Sequence, residues 1–220
     1  MTRLVLVRHG ESKTTVARVI GGHRTCSGLS ELGRLQAERL RDRWASGNEI
    51  TADVLISSHY ARACETAEII SPAIGSLAVV EDAGFGEHDP GPDCDGMSFD
   101  EYVQRYGVDW WQGDPFGTSF PGGETVAAFQ FRIGQAIRRT TDSYPDKTVV
   151  VVCHGGVVDA ALRVALKSPP TGSYEIHTLN TSITEIHLIK DNKWRLIRYN
   201  DVAHLAGLPP HTAPPPSPSD

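Results

Sequence analysis

Two stretches far apart in this chain run apolar without alternation and stop at the same dipeptide. Leu4-Val5-Leu6-Val7 leads into Arg8-His9-Gly10, and Val149-Val150-Val151-Val152 leads through Cys153 into His154-Gly155-Gly156. A strand with one wet face alternates polar and apolar residues. An unbroken run of branched aliphatics therefore reads as a strand buried on both faces, as inside a parallel sheet. Open α/β sheets bind ligands beyond the carboxyl ends of such strands. Two strands that both end in His-Gly can bring two imidazoles to one rim.

The segments between them fit that frame. A polar loop with Gly21, Gly22, His23, Arg24 and Gly28 follows the first strand. Ser30 caps an expected helix that carries Leu32, Leu35, Leu40 and Trp44 on one face and stops at Gly47-Asn48. Asp53 to Ser57 reads as a second buried strand. Its tip, Ser57-Ser58-His59-Tyr60-Ala61-Arg62, enters a helix with Ala63, Ala67 and Ile70 inward and Pro72 at its end. Leu77 to Val80 is a third strand. Glu124 opens a helix with Val126, Phe129, Ile133 and Ile137 inward, and Gly156 to Leu166 is helical up to Pro169-Pro170. Ser182 to Ile189 and Trp194 to Tyr199 form a hairpin around Asp191-Asn192.

This alternation predicts an α/β fold, three-layer α/β/α, with a largely parallel central sheet. Between Asp82 and Gly123 regularity fails, apart from a short helix behind the capping box Ser98-Phe99-Asp100-Glu101. A long irregular segment in a compact domain is usually a lid or a binding insertion. The two His-Gly tips lie at opposite ends of the chain, so residues 1–208 read as a single domain with 82–123 as its cap. Residues 209–220, mostly Pro, Ser and Thr, read as a disordered tail.

The formal net charge of −6 over 220 residues, with no basic stripe, argues against a nucleic-acid partner. No apolar run approaches the length of a membrane span and no signal peptide precedes the first strand, so the expected setting is the cytoplasm. Cys26, Cys64, Cys94 and Cys153 show no CxxC spacing and read as free thiols. Asn180-Thr181-Ser182 matches a glycosylation sequon but carries no weight without a secretory signal.

The rim would gather Arg8, His9, Arg62 and His154 with the backbone amides of Gly10, Gly155 and Gly156. A guanidinium binds a tetrahedral oxyanion through two parallel hydrogen bonds and stays charged at any working pH. Glycines let backbone N–H groups come close to a phosphate, and Arg62 at a helix start adds the positive end of a dipole. The combination asks for a phosphoryl group. A neutral imidazole can attack phosphorus in line, and water can later cleave the phosphohistidine. The second imidazole, protonated, can stabilise charge on the equatorial oxygens. Taken singly, each residue has a plain alternative as a solvated arginine or a hydrogen-bonded histidine. Their joint occurrence at strand tips carries the reading.

With these residues in place the sequence resembles the histidine phosphatase superfamily, which holds cofactor-dependent phosphoglycerate mutases and many small-molecule phosphatases. LVRHGES at Leu6 to Ser12 is similar to its signature tip, and SSHYARACETAEII at Ser57 to Ile70 to its second arginine motif. PGGET at Pro121 to Thr125, VVCHGG at Val151 to Gly156 and SGLSELGRLQA at Ser27 to Ala37 are similar to further family stretches. The resemblance runs from the first strand to the hairpin. It implies a phosphoglycerate mutase-like fold, His9 as nucleophile, a phosphate pocket of Arg8, Arg62 and His154, and no metal or other cofactor.

The family also protonates the leaving oxygen with a carboxylic acid, usually a Glu four residues before a Gly. Glu87 in Glu87-His88-Asp89-Pro90-Gly91 fits, and Asp89, Asp93, Asp95 and Glu11 compete by type. Gly10, Gly155, Thr15 and His23 are candidate phosphate or substrate contacts. Thr15 stands where the family often carries an asparagine. Pro90 to Gly96 (PGPDCDG) is longer and more acidic than the usual link to the next helix.

A mutase must grip a small carboxylate, and the resemblance to phosphoglycerate mutases is weak through Asp82 to Gly123, the segment that would do so. The expected function is therefore that of a phosphomonoesterase acting on a small phosphorylated metabolite through a phosphohistidine on His9. A cofactor-dependent mutase and a non-catalytic phosphate-binding module of the same fold are the alternatives. Both histidines, both arginines and an acid are retained, which opposes the second. Two arginines would repel the cation of a metal hydrolase built on His9 and Glu11. No GxSxG elbow or P-loop occurs. Trp110, Trp111, Tyr102 and Phe116 either line an organic pocket or form local core, and His23 and Arg24 are candidates for specificity contacts.

Overall fold

The structure, a computed structural model, describes residues 1–107, 114–118, 120–171, 174–190 and 193–209. Trp110 and Trp111, the Asp191-Asn192 turn and the tail after Pro209 lie outside the described residues.

Strands β1 (Thr2–Arg8), β2 (Val54–Ser57), β3 (Val79–Glu81), β4 (Thr148–Cys153), β5 (Ile183–Lys190) and β6 (Lys193–Asp201) form one sheet in the order β3-β2-β4-β1-β5-β6. The first four are parallel to one another, and the β5–β6 hairpin adds an antiparallel edge beside β1. Helices α2 (Glu31–Gly47) and α3 (Ala61–Ile70) cover one face of the sheet; α6 (Val126–Ser143) and α7 (Gly155–Leu166) cover the other. This is the three-layer α/β arrangement expected.

The missing alternation in the two apolar runs now has its cause. Leu4, Leu6, Val149 and Val151 pack on Ile133, Ile137, Val158 and Leu162 on the α6–α7 side. Val5, Val7, Val150 and Val152 pack on Leu40, Trp44, Ala67 and Ile70 on the α2–α3 side. Each buried Val or Leu stabilises the fold by roughly 1.5–3 kcal/mol, so a polar residue has no place on either face.

Helix α2 starts and stops as expected. The Ser30 side chain accepts from the Gly33 N–H, and Asn48 closes the helix in the left-handed conformation at φ 45°. Its inner face differs from the apolar periodicity: Gly33, Gln36, Ala37, Leu40 and Trp44 are buried, whereas Leu35 is exposed. The helix meets the β1 tip backbone to backbone. A Cβ on Gly33 would lie 2.0 Å from the Glu11 carbonyl oxygen, and one on Gly10 would lie 2.3 Å from the Gly33 carbonyl oxygen. Contact through glycine leaves no hydrophobic signal in the sequence, so apolar spacing alone turns the helix to a different phase.

Helix α6 is capped by Thr125, whose side chain accepts from the Ala128 N–H, so Glu124 stays outside the helix. The irregular segment holds a 3₁₀ turn (Ala83–Phe85), α4 (Gly91–Cys94) and α5 (Phe99–Tyr106), the last with the expected Ser98 cap. It also has a small core of its own, in which Tyr102 packs with Ile20, Cys94, Met97 and Phe120, while Phe116 is exposed. Tyr102 is thus local core. The one-turn helix α1 (Lys13–Val16) follows the β1 tip. Among the described residues no helix is long and apolar enough to cross a membrane.

Candidate active site

The carboxyl ends of β1, β4 and β2 lie side by side. Arg8 pairs in register with Cys153, and Ser57 with Val152. Just past the strands, the His9 N–H donates to the Cys153 carbonyl and the Ser58 N–H to the Val152 carbonyl, both at 2.9 Å. Main-chain pairing therefore brings the His9 and His154 rings together, with centroids 5.0 Å apart and planes at 64°. Both side chains are buried. Arg62 is also buried; its Nε donates to His9 Nε2 at 3.1 Å and a terminal nitrogen donates to the Gly21 carbonyl at 3.0 Å. Arg8 donates to the Thr178 carbonyl. The stretch leading into β5 braces this corner: Asn180 Nδ2 donates to the His9 carbonyl and the Thr181 N–H to the Arg8 carbonyl, each at 2.9 Å.

A hydrogen bond assigns the His9 tautomer. His9 Nδ1 lies 2.6 Å from the Gly10 carbonyl oxygen, which can only accept, so Nδ1 carries the proton and Nε2 offers its lone pair. Burial first, then the Arg62 and Arg8 charges, hold the His9 pKa well below the usual histidine value. His154 Nε2 lies 2.8 Å from Ser58 Oγ. That oxygen also accepts the Tyr60 N–H at 3.3 Å, so Ser58 ties the His154 ring to the tip of β2. Burial, followed by Arg62, His9 and Arg8, also lowers the His154 pKa well below normal. Burial and the three neighbouring cations or rings thus oppose a charge on the second imidazole before an anion is bound.

Among the described residues, two buried nitrogens at this rim have no hydrogen-bond partner: Arg8 Nε, a donor, and His154 Nδ1. An unpaired buried polar group costs about 1–3 kcal/mol. With the His9 lone pair and the Arg62 guanidinium, they mark a place shaped for a polar, acceptor-rich group.

The five carboxylates separate by contact. Glu87 Oε2 accepts the Gly156 N–H at 3.3 Å and Oε1 the His88 N–H at 3.0 Å, which sets the carboxylate at the start of α7, beside the His154 tip. Glu11 is buried and accepts the Ser30 hydroxyl at 2.7 Å. Asp95 is taken up by the Gly22 and Arg24 N–H groups and the Thr25 hydroxyl. Asp89 accepts the Gly91 N–H, and Asp93 is exposed. A cleft of about 610 Å³ is lined by His23, His59, Tyr60, Glu87 and Asp89 among others; Tyr60 and Glu87 adjoin the rim, whereas Arg8, His9, Arg62 and His154 do not line the cleft. Tyr60 connects the two spaces: its ring lies 4.8 Å from His154 and 4.6 Å from Arg62 Cζ.

Other expected contacts sit differently. The Gly10 N–H donates to Thr66 Oγ1 at 3.1 Å, so Gly10 serves close packing against Gly33 and does not offer its amide to the rim. The Gly156 amide is likewise used by Glu87. Gly155 opens α7, and a Cβ there would lie 3.6 Å from Arg8 Nε. Thr15 bonds Ser12 Oγ at 2.9 Å within the cap of α1. His23 is exposed on the cleft wall, 4.2 Å from the His59 ring and 5.6 Å from the Tyr60 ring. Ser58, Tyr60 and Asn180 were missed as site residues. The tandem serine at the β2 tip was the one available hint, since a small hydroxyl residue at a strand end is placed to orient a neighbouring side chain.

Comparison with known proteins agrees with this geometry. Phosphoglycerate mutase-like protein 4 of Arabidopsis thaliana is 31% identical over 92% of this chain and 86% of its own. The uncharacterized phosphatase PhoE of Bacillus subtilis (strain 168) is 30% identical over 94% of this chain and 99% of its own. A mutant phosphoserine phosphatase of Entamoeba histolytica, solved in complex with phosphoserine, superposes with a TM-score of 0.76 at 25% identity, over 93% of this chain and 100% of that one. The sequence model of the histidine phosphatase superfamily (branch 1) matches residues 4–202, and the chain belongs to that family.

Proposed function

We propose that the protein is a phosphomonoesterase that moves the phosphoryl group of a small phosphorylated metabolite to His9 Nε2 and then to water. The observation that carries this reading is His9, whose Nδ1 donates to the Gly10 carbonyl and leaves the Nε2 lone pair at a rim where, among the described residues, Arg8 Nε and His154 Nδ1 have no partner. A phosphoryl group supplies the acceptor that Arg8 Nε lacks, and one for His154 when its Nδ1 carries a proton. It also draws the Arg62 guanidinium from His9 Nε2 to a phosphoryl oxygen, freeing the lone pair to attack.

In the first step the Nε2–P bond forms and the bond from phosphorus to the leaving oxygen breaks. Glu87 supplies the proton that turns the leaving oxygen into a hydroxyl. Arg8, Arg62 and His154 Nδ1–H hold the equatorial oxygens as charge shifts. In the second step the Glu87 carboxylate takes a proton from water, the oxygen of that water bonds to phosphorus, and the P–N bond breaks. Phosphate leaves and His9 returns neutral. No step calls for a metal ion or an organic cofactor.

The cleft supports hydrolysis over phosphoryl return to a second hydroxyl. Both guanidiniums that line it are paired with carboxylates, Arg24 with Asp95 and Arg132 with Glu124. Neither is free to grip a second phosphate. The 82–123 segment acts as the cap that selects the leaving group, and the phosphoserine-bound relative supports a small phosphorylated metabolite as the substrate class. Rapid quenching with an aryl phosphate tests the mechanism. An acid-labile phosphoenzyme should form in the native protein and be absent in His9→Ala, with turnover lower by on the order of 10⁵-fold. Persistent turnover in His9→Ala would sink the assignment, and isomer formation from 3-phosphoglycerate with a bisphosphate primer would make the protein a mutase.

A further inference from the structure

The PGGET stretch and the helix behind it have no role in the chemistry described so far, yet they converge on the loop that carries Glu87. Arg132, on α6, reaches back across this loop. One terminal nitrogen donates to the carbonyls of Gly84 at 3.1 Å and Gly86 at 3.0 Å; the other donates to the Glu87 carbonyl at 3.2 Å. Glu124 holds the same guanidinium in a two-point ion pair, Nε to Oε1 at 3.0 Å and a terminal nitrogen to Oε2 at 2.7 Å. Glu124 is itself tied to the loop, its N–H donating to the Asp89 carbonyl at 2.9 Å. The glycine turn before it fits tightly against the same segment: a Cβ on Gly123 would lie 2.6 Å from the Asp89 carbonyl oxygen, and one on Gly91 2.5 Å from the Gly122 carbonyl.

We infer that Arg132, oriented by Glu124, is a positioning residue for Glu87. It fixes the backbone of the acid from one side, while the Gly156 N–H fixes the carboxylate from the other. The guanidinium is suited to this task because its planar fork serves several carbonyls and a carboxylate at once, which an ammonium on a flexible stem cannot do. A proton donor displaced by about 1 Å loses most of its effect on a leaving group that needs the proton. It loses little on one that departs unaided.

The inference rests on Glu87 as the proton donor, and the test separates the two ideas. Activity is measured on p-nitrophenyl phosphate, whose leaving group needs no proton, and on glycerol 2-phosphate, whose leaving group does. Glu87→Gln should lower kcat/KM selectively on the glycerol ester. Arg132→Ala and Arg132→Lys should reproduce that selectivity, with about a 10²-fold loss on the glycerol ester and less than about threefold on the aryl ester. Glu124→Gln should give a smaller loss in the same direction. In the Glu87→Gln background, Arg132→Lys should add no further selectivity, and thermal melting checks that each variant is folded. Equal losses on both substrates in folded Arg132→Lys, or no loss, overturn the positioning role while Glu87 stands. A uniform loss in Glu87→Gln overturns the Glu87 assignment and with it the inference.

Discussion

At the rim, position is set by main chain. The His9 N–H bonds β4, the Ser58 N–H bonds the same strand, and Gly10 meets Gly33 with no side chain between them. Across the cleft, position is set by side chains reaching to backbone. Arg132 gathers the carbonyls around Glu87, and Asp95 gathers the Gly22, Arg24 and Thr25 donors. Burial pushes the Asp95 pKa up, but the bonds from Thr25, Arg24 and Gly22 outweigh it and hold the carboxylate below its usual value. The Gly10–Gly33 contact permits almost no change, because a single added Cβ would strike a carbonyl oxygen. Across the cleft the Gly91 and Gly123 turn is as tight, but the ties made by Arg132 and Asp95 can be altered one side chain at a time. A phosphoryl group is the same in every substrate and the leaving group is not, so the chemistry sits on the inflexible side and selection on the adaptable one.

Substitutions on each side test this division. Arg8→Lys keeps a charge but loses the guanidinium that bonds Thr178 and presents Nε to the rim. It should lower kcat/KM by about 10²–10³-fold on every phosphomonoester tried. A loss confined to some leaving groups would place Arg8 on the selecting side. Ser58→Ala removes the partner of His154 Nε2 and unties the ring from the tip of β2. About a tenfold loss, again uniform across substrates, is expected from steady-state kinetics. Unchanged activity would mean that packing alone orients His154. His23→Ala, on the exposed cleft wall, should change p-nitrophenyl phosphate turnover by no more than about threefold while reordering a panel of phosphorylated metabolites. A large uniform loss there would break the division between the two sides.

Much of the rim was readable in the chain. Arg8, His9 and His154 follow runs whose composition alone announces burial, and Arg62 opens a helix just after a third strand tip. The parts that escaped have no local pattern. Apolar spacing points Leu35 inward because it cannot see a glycine contact, and nothing near Gly10 in sequence points its amide to Thr66. Ser58, Asn180 and Arg132 act on residues 96, 171 and 45 positions away, respectively.

That two doubly buried strands end in His-Gly, that two arginines join them, and hence that a phosphoryl group is the natural guest, is written in the chain itself. Burial on both faces is a property of a few consecutive residues, so it is written locally. Which nitrogen of His9 carries the proton, what ties the His154 ring, and which carboxylate lies at the start of α7 emerge from the folded chain alone. Those outcomes depend on strand register and on loops meeting across the sheet, where a shift of about one ångström exchanges one hydrogen-bond partner for another.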